Sequence, residues 1–182
     1  VYSPVKYSEI DEPEHIEIKK NYLIIDGYNV IFGWDELKKL TSEDLRAARE
    51  KLLEILINYS SYKSSEVILV FDGYKVKSNP GERFDEHGIH VVYTKEGQTG
   101  DAFIERLAND IGKNYSVRVV TSDNLIRLSA LRSGILRVST ADFHDEVNEV
   151  NMTISDIIAR QNAVSSQKQR FSLNIPWLDD LS

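Results

Sequence analysis

Cysteine is absent from the 182 residues, methionine occurs once and proline four times. Without thiols there is no disulfide framework, no thiolate metal site and no cysteine nucleophile. Long hydrophobic runs are missing too. None approaches the roughly 20 residues that a membrane span needs, so no membrane partner is expected. There is no secretory signal pattern, and the cytoplasm is the expected location. Basic charge is scarce: 22 Lys and Arg stand against 29 Asp and Glu, a formal net charge of -7. Strong unaided binding to a nucleic acid backbone needs clustered Lys and Arg, and this balance argues against it. A nuclease remains open, because acidic metal ligands make a bare chain look more acidic than its metal-loaded form.

What is present reads as an ordinary globular chain. Hydrophobic residues make up 41% and charged residues 28%, with enough length for one domain and a core. Residues 1–20 are polar and acidic (Glu9, Asp11, Glu12, Glu14). They read as a leader or linker, and the expectation is a piece cut from a longer protein. The domain is expected over 21–164. A polar tail follows over 165–182, with one apolar patch at Ile175-Pro176-Trp177-Leu178.

Apolar runs at Tyr22–Ile25, Val67–Phe71, Ile89–Tyr93, Val117–Val120 and Ile135–Val138 predict five strands. Thr41-Ser42-Glu43-Asp44 has the form of a capping box opening a helix, and Leu45, Ala48, Leu52, Ile55, Leu56 and Tyr59 continue it at helical spacing. Phe103 to Ile111 predicts a helix capped by Gly112. Leu125–Leu131 predicts a short one, and the pattern is helical again from Ala141 to about Ala163. Tyr74–Gly88 reads as a polar loop with an Asn79-Pro80-Gly81 turn. Strands alternating with helices imply an α/β fold: a mainly parallel sheet in a three-layer α/β/α sandwich.

In such folds the site lies beyond the carboxyl ends of the strands. Asp26, Asp72 and Asp123 each follow a predicted strand, and Asp101 opens a helix just after another. A parallel sheet puts all four on one edge. Glu105 lies one helical turn beyond Asp101, on the same face. Carboxylates packed together repel, and their pKa values rise unless something neutralises them. Hard divalent cations prefer oxygen ligands, so the pattern points to Mg²⁺ or Mn²⁺ and to displacement at phosphorus. Each Asp also has a plain structural reading as a turn former or helix cap. Both readings stay open from pattern alone.

The neighbours divide in the same way. Asn29 would anchor Asp26 or cap its turn, and Thr121 and Ser122 would orient Asp123 or bond their own backbone. Tyr28 is a candidate for stacking on bases, whereas Trp34 reads as a packing residue. Lys75, Lys77 and Arg83 are candidates for RNA phosphates or merely solvated charges of the loop.

Taken in order, Asp26-Gly27-Tyr28-Asn29, Val70-Phe71-Asp72-Gly73, Thr99-Gly100-Asp101 and Val120-Thr121-Ser122-Asp123 resemble the NYN domains of the PIN-like nuclease superfamily, YacP type. The resemblance covers about Tyr22 to Ala163. It implies a PIN-like fold and a ribosome-dependent endoribonuclease that cuts mRNA with Mg²⁺ or Mn²⁺ and leaves a 5′-phosphate. Asp26, Asp72, Asp101 and Asp123 would form the catalytic metal site, with Asn29 and Glu105 beside it. Delivery of mRNA by the ribosome would fit the acidic net charge. The sequence departs from the family pattern at Glu96-Gly97-Gln98-Thr99-Gly100-Asp101-Ala102 and at Asp123-Asn124-Leu125-Ile126. These departures favour an alternative, a PIN-like module that binds RNA or the ribosome without cutting. The family domain also occurs behind translation-factor-like GTPases, so a C-terminal domain of such a protein is a further expectation. Oligomeric state is not readable from the sequence.

Overall fold

In the computed structural model, which describes residues 20–73, 81–123 and 134–172, the central strand is β1 (Asn21–Asp26). Successive side chains of a strand face opposite ways. Leu23 and Ile25 therefore enter one core and Ile24 the other. The remaining strands are β2 (Glu66–Phe71), β3 (Glu82–Glu86), β4 (Ile89–Tyr93), β5 (Ser116–Val120) and β6 (Ile135–Val138). They form one six-stranded sheet in the order β3-β4-β2-β1-β5-β6. Every neighbouring pair is parallel except β3 with β4.

Helices α1 (Gly27–Gly33), α2 (Asp35–Thr41), α3 (Leu45–Lys63) and α5 (Thr140–Ser172) cover one face. Their Val30, Ile31, Leu37, Leu52, Leu56, Phe143 and Val147 share a core with Leu23, Val67, Leu69 and Val91. Helix α4 (Gly100–Ile111) covers the other, packing Ile104 and Ala108 on Ile24, Val70 and Val119. This is the expected three-layer α/β/α sandwich. No helix among the described residues is long and apolar enough to cross a membrane.

Several local expectations change. Thr41 does not start a helix; it closes α2, and Asp44 is the N-cap of α3, accepting from the Arg46 N–H at 2.8 Å. Helices α1 and α2 are additional, each only seven residues long. The predicted polar loop contains β3, whose residues are almost all exposed. Gly112 does end α4, but in right-handed conformation; a Cβ there would stand 2.8 Å from the Ala108 carbonyl oxygen, so the glycine serves close approach. Helix α5 continues past Ala163 to Ser172. The predicted helix at Leu125–Leu131 lies outside the described residues.

Trp34 is a packing residue, as its sequence context predicts. It separates α1 from α2, lies near Phe143 at 5.8 Å between ring centroids, and donates from Nε1 to the Thr140 carbonyl at 2.8 Å. That bond is buried and joins α1 to the start of α5. On the same face, Arg118 pairs with Glu146 through two bonds of 3.1 and 2.5 Å, and the Tyr59 hydroxyl donates to Glu146 at 2.6 Å. The two ties hold α5 against the sheet at separate points along its length. Trp34→Phe keeps an aromatic ring but leaves the Thr140 carbonyl without its donor. The expected loss is about 1–2 kcal/mol, read by urea denaturation, with the fold retained.

Candidate active site

Asp26 stands level with Val70 of β2, and Ile25 with Val120 of β5. Because these strands are parallel, the chain leaves all of them at one edge. Asp72 follows β2 directly, and Thr121-Ser122-Asp123 follows β5. With β1 between β2 and β5, Asp72 and Asp123 leave the sheet about 10 Å apart, one on each side of Asp26. Asp101 lies in the first turn of α4, whose N-terminal end meets the same edge.

Asp26 ends β1 and caps α1. Its Oδ1 accepts from the Asn29 backbone at 3.4 Å, and its Oδ2 accepts from Asn29 Nδ2 at 2.7 Å and from the Thr121 hydroxyl at 3.4 Å. Asn29 turns its own Oδ1 to the Ser122 N–H at 3.2 Å. The Asp123 N–H donates to Thr121 Oγ1 at 3.0 Å, and Ser122 Oγ meets Thr140 Oγ1 at 2.7 Å. Asn29, Thr121 and Ser122 thus form a bridge between the ends of β1 and β5. Burial raises the Asp26 pKa above the usual carboxylate range; the Asn29 and Thr121 bonds oppose the rise and the Asp123 charge adds to it.

Asp72 reaches sideways. Its Oδ2 accepts from the Gly100 N–H at 3.2 Å, fixing the start of α4 and so the place of Asp101. Gly73 makes this possible, since a Cβ there would fall 1.8 Å from the Thr94 carbonyl oxygen. Gly27 likewise sits against the Phe71 ring, which a Cβ would meet at 2.4 Å. Both glycines serve close approach.

Asp101 is the most perturbed acid of the edge, its pKa pushed up to about 6. Burial is the largest cause, followed by a hydrogen bond shared with Asp123 and the charges of Asp26, Asp123 and Asp72. The four predicted aspartates therefore act on one another electrostatically. Glu105 is partly buried one turn further along α4 and makes no hydrogen bond or ion pair among the described residues. The donor set is all hard oxygen and suits Mg²⁺ or Mn²⁺. Among the described residues, no three such side chains form a finished cation cage.

The nucleic acid candidates separate. The Tyr28 ring is buried between Phe71 and Phe32, and its hydroxyl accepts from Arg49 Nη1 at 3.2 Å. The aromatic that faces outward here is Phe32, 42% exposed, on a depression shared with Asn29 and Ser122. Sequence reading passes over Phe32 because α1 is too short to show a helical period. Arg83 lies on β3 with its guanidinium 5.7 Å from the Phe103 ring centroid. Lys75 and Lys77 lie outside the described residues.

A mostly parallel sheet with acids gathered at its carboxyl edge defines the class: an α/β domain with a polyanionic strand-end site. The particular family follows from the match to the YacP-like NYN domain over residues 23–180. The chain belongs to that family. It is 33% identical over 147 residues to the protein YacP of Bacillus subtilis (strain 168), a match covering 80% of this chain and 84% of the relative. The crystal structure of Rae1 (YacP) from Bacillus subtilis superposes with a TM-score of 0.68 at 30% identity, covering 87% of this chain and 91% of that one. A tryptophan-to-leucine point mutant of the same Bacillus protein gives the same TM-score, with 79% and 84% covered.

Two outcomes are expected from this geometry. Gly73→Ala forces apart the backbone at Asp72 and Thr94 and should cost about 2–3 kcal/mol, read as a lower urea midpoint. The raised pKa of Asp101 means that the folded state binds its proton more tightly than the unfolded chain does. In EDTA, stability should therefore fall as pH rises from about 4 to about 6 and then level off. Asp101→Asn removes its own part of that dependence and, after discounting for solvent screening, should gain about 1 kcal/mol at pH 7.5.

Proposed function

We propose that the domain is a metal-dependent endoribonuclease that hydrolyses phosphodiester bonds of mRNA in the cytoplasm, on the ribosome. One observation carries this reading: four carboxylates from separate chain segments meet at one edge, and their crowding helps drive the Asp101 pKa to about 6. Carboxylates gathered in a partly buried site favour a divalent cation. The family match and the all-oxygen donor set support the same assignment.

Asp26, Asp72, Asp101 and Asp123 would hold Mg²⁺ or Mn²⁺. When bound, the cation would neutralise the carboxylates and supply electrophilic assistance at the phosphate. The protein's own part is positional. Asn29 and Thr121 fix both oxygens of Asp26, and the Gly100 N–H fixes Asp72. Asp101, which shares a hydrogen bond with Asp123, gives the edge a group that holds or releases a proton at a pH of about 6. In the reaction, water attacks phosphorus and the 3′ oxygen leaves, so the downstream fragment carries a 5′-phosphate.

A second reading comes from the resemblance drawn in the sequence. Glu96 to Ala102 around Asp101, and Asp123 to Ile126, depart from the pattern that the resemblance implies. Such drift beside retained acids favours a module that binds RNA or the ribosome without cutting, including a C-terminal domain of a translation-factor-like GTPase. The deciding experiment is cleavage of an mRNA, free and on translating ribosomes, with Mg²⁺ or Mn²⁺, by wild type and Asp101→Asn. Cutting that needs metal and ribosomes, and that drops about 100-fold or more in the variant, is the expected result. Equal cutting of free RNA would remove the ribosome requirement. Ribosome binding without cutting by either protein would establish the second reading.

A further inference from the structure

A groove with a volume of about 650 Å³ runs between β3–β4 and α4, beside the acidic edge. Arg83, Lys95 and Arg106 line it together with Phe103. Phe84 stands opposite Val91 and turns its ring to the other face of the sheet, against Tyr93. Arg83 pairs in register with Val92, next to the last residue of β4, and Lys95 follows that strand end. Two of the three cations therefore lie at the same carboxyl edge as the aspartates. Gln98, also on the groove, belongs to the segment that leads from β4 into Asp101. Arg106 is on α4, the helix that Asp101 opens.

The charge of this groove is not self-cancelled. Of its two acids, Asp110 pairs with Lys113 at 3.0 Å and Asp85 bonds His90, so the three cations outnumber them. Arg83, Lys95 and Arg106 make no ion pair among the described residues. Arg83 lies instead over the Phe103 ring, and the Lys95 stem lies so close to Gly81 that a Cβ there would meet it at 2.5 Å. In a chain of net charge -7, three such cations beside the Phe103 ring form a local positive surface. Cations that track a backbone, with rings on which bases stack, are the combination that single-stranded nucleic acid binds.

We propose that this groove is the RNA-strand subsite of the domain: Arg83, Lys95 and Arg106 hold phosphates of the strand flanking the bond at the acidic edge, and the Phe103 ring meets a base. The proposal rests on the nuclease reading for its orientation toward the acidic edge. It explains how an acidic chain would keep hold of an RNA whose reacting phosphate enters a negative site. The cations sit beside the aspartates, where they do not neutralise them.

The test is binding of a 12-nucleotide unstructured, fluorescein-labelled RNA by anisotropy, at several salt concentrations. All proteins carry Asp101→Asn and are assayed in Mg²⁺, so that cutting does not interfere. Arg83→Gln/Lys95→Gln/Arg106→Gln should weaken binding about 10-fold or more at low salt. It should also lower the slope of log affinity against log salt by about 2, since each neutralised phosphate of a single strand adds roughly 0.7 to that slope. Arg83→Lys/Arg106→Lys keeps the charge and should keep the slope. Lys39→Gln/Lys51→Gln/Arg160→Gln removes the same charge elsewhere and should change little. Equal weakening in that control, an unchanged slope in the groove variant, or no RNA binding at all would overturn the groove. If RNA binds through the groove but the wild type cuts no RNA under any condition, the nuclease reading falls and the groove stands. If cutting on ribosomes persists unchanged in the groove variant of the wild-type background, the groove falls and the nuclease stands.

Discussion

Asp26 is a carboxylate at the end of the central strand, almost removed from water, and its hydrogen bonds organise the upper edge of the sheet. A buried charge is tolerated only when its oxygens find donors. Here one oxygen takes the Asn29 backbone, which starts α1. The other takes the Asn29 amide and the Thr121 hydroxyl, which ties β1 to β5. Since Asn29 also accepts from Ser122 and Thr121 from Asp123, the group that caps a helix also places the neighbouring acid. Capping and site-building are one set of bonds, so the structural and catalytic readings of these residues are not true alternatives.

The same double use holds on the other side. Asp72 accepts from the first N–H of α4, as a cap would, and in doing so fixes where Asp101 stands. The clearance for this contact comes from Gly73, pressed against the Thr94 carbonyl. Two clamps, one across β1–β5 and one from β2 to α4, therefore hold the four acids at one edge. The raised pKa of Asp101 reflects burial first, and then the hydrogen bond with Asp123 and the charges of the other acids.

This explains what was legible in the sequence. The buried parallel strands were, because Val67–Phe71 and Val117–Val120 are apolar runs that end abruptly on polar residues. The long helix α3 was, through its periodic Leu52, Leu56 and Tyr59. The four aspartates were, because parallel strands send their carboxyl ends to one edge. Strand β3 was not, since Glu82–Glu86 is an edge strand with nearly every side chain in water and so carries no hydrophobic period. Helices α1 and α2 were not, since seven residues make about two turns and their stability comes from Trp34 and Leu37 packing beneath. The start of α3 was misplaced because Thr41 and Asp44 are both good caps, and the chain had already used Thr41 to end α2. The position of Phe32 was hidden because outward exposure of one ring depends on the path of α1.

Net charge gives a sum, and what a ligand meets depends on where the charges stand. Asp110 and Lys113, 3.0 Å apart, largely cancel for any ligand that approaches. The same holds for Arg46 and Glu50 at 2.8 Å. What distinguishes one region from another is the charge gathered there. At the N-terminal end of α4 the four aspartates stand together, and along the helix Arg83, Lys95 and Arg106 line the groove. Opposite potentials side by side orient a polyanion more strongly than a uniform basic surface would, because they favour one approach and penalise the reverse.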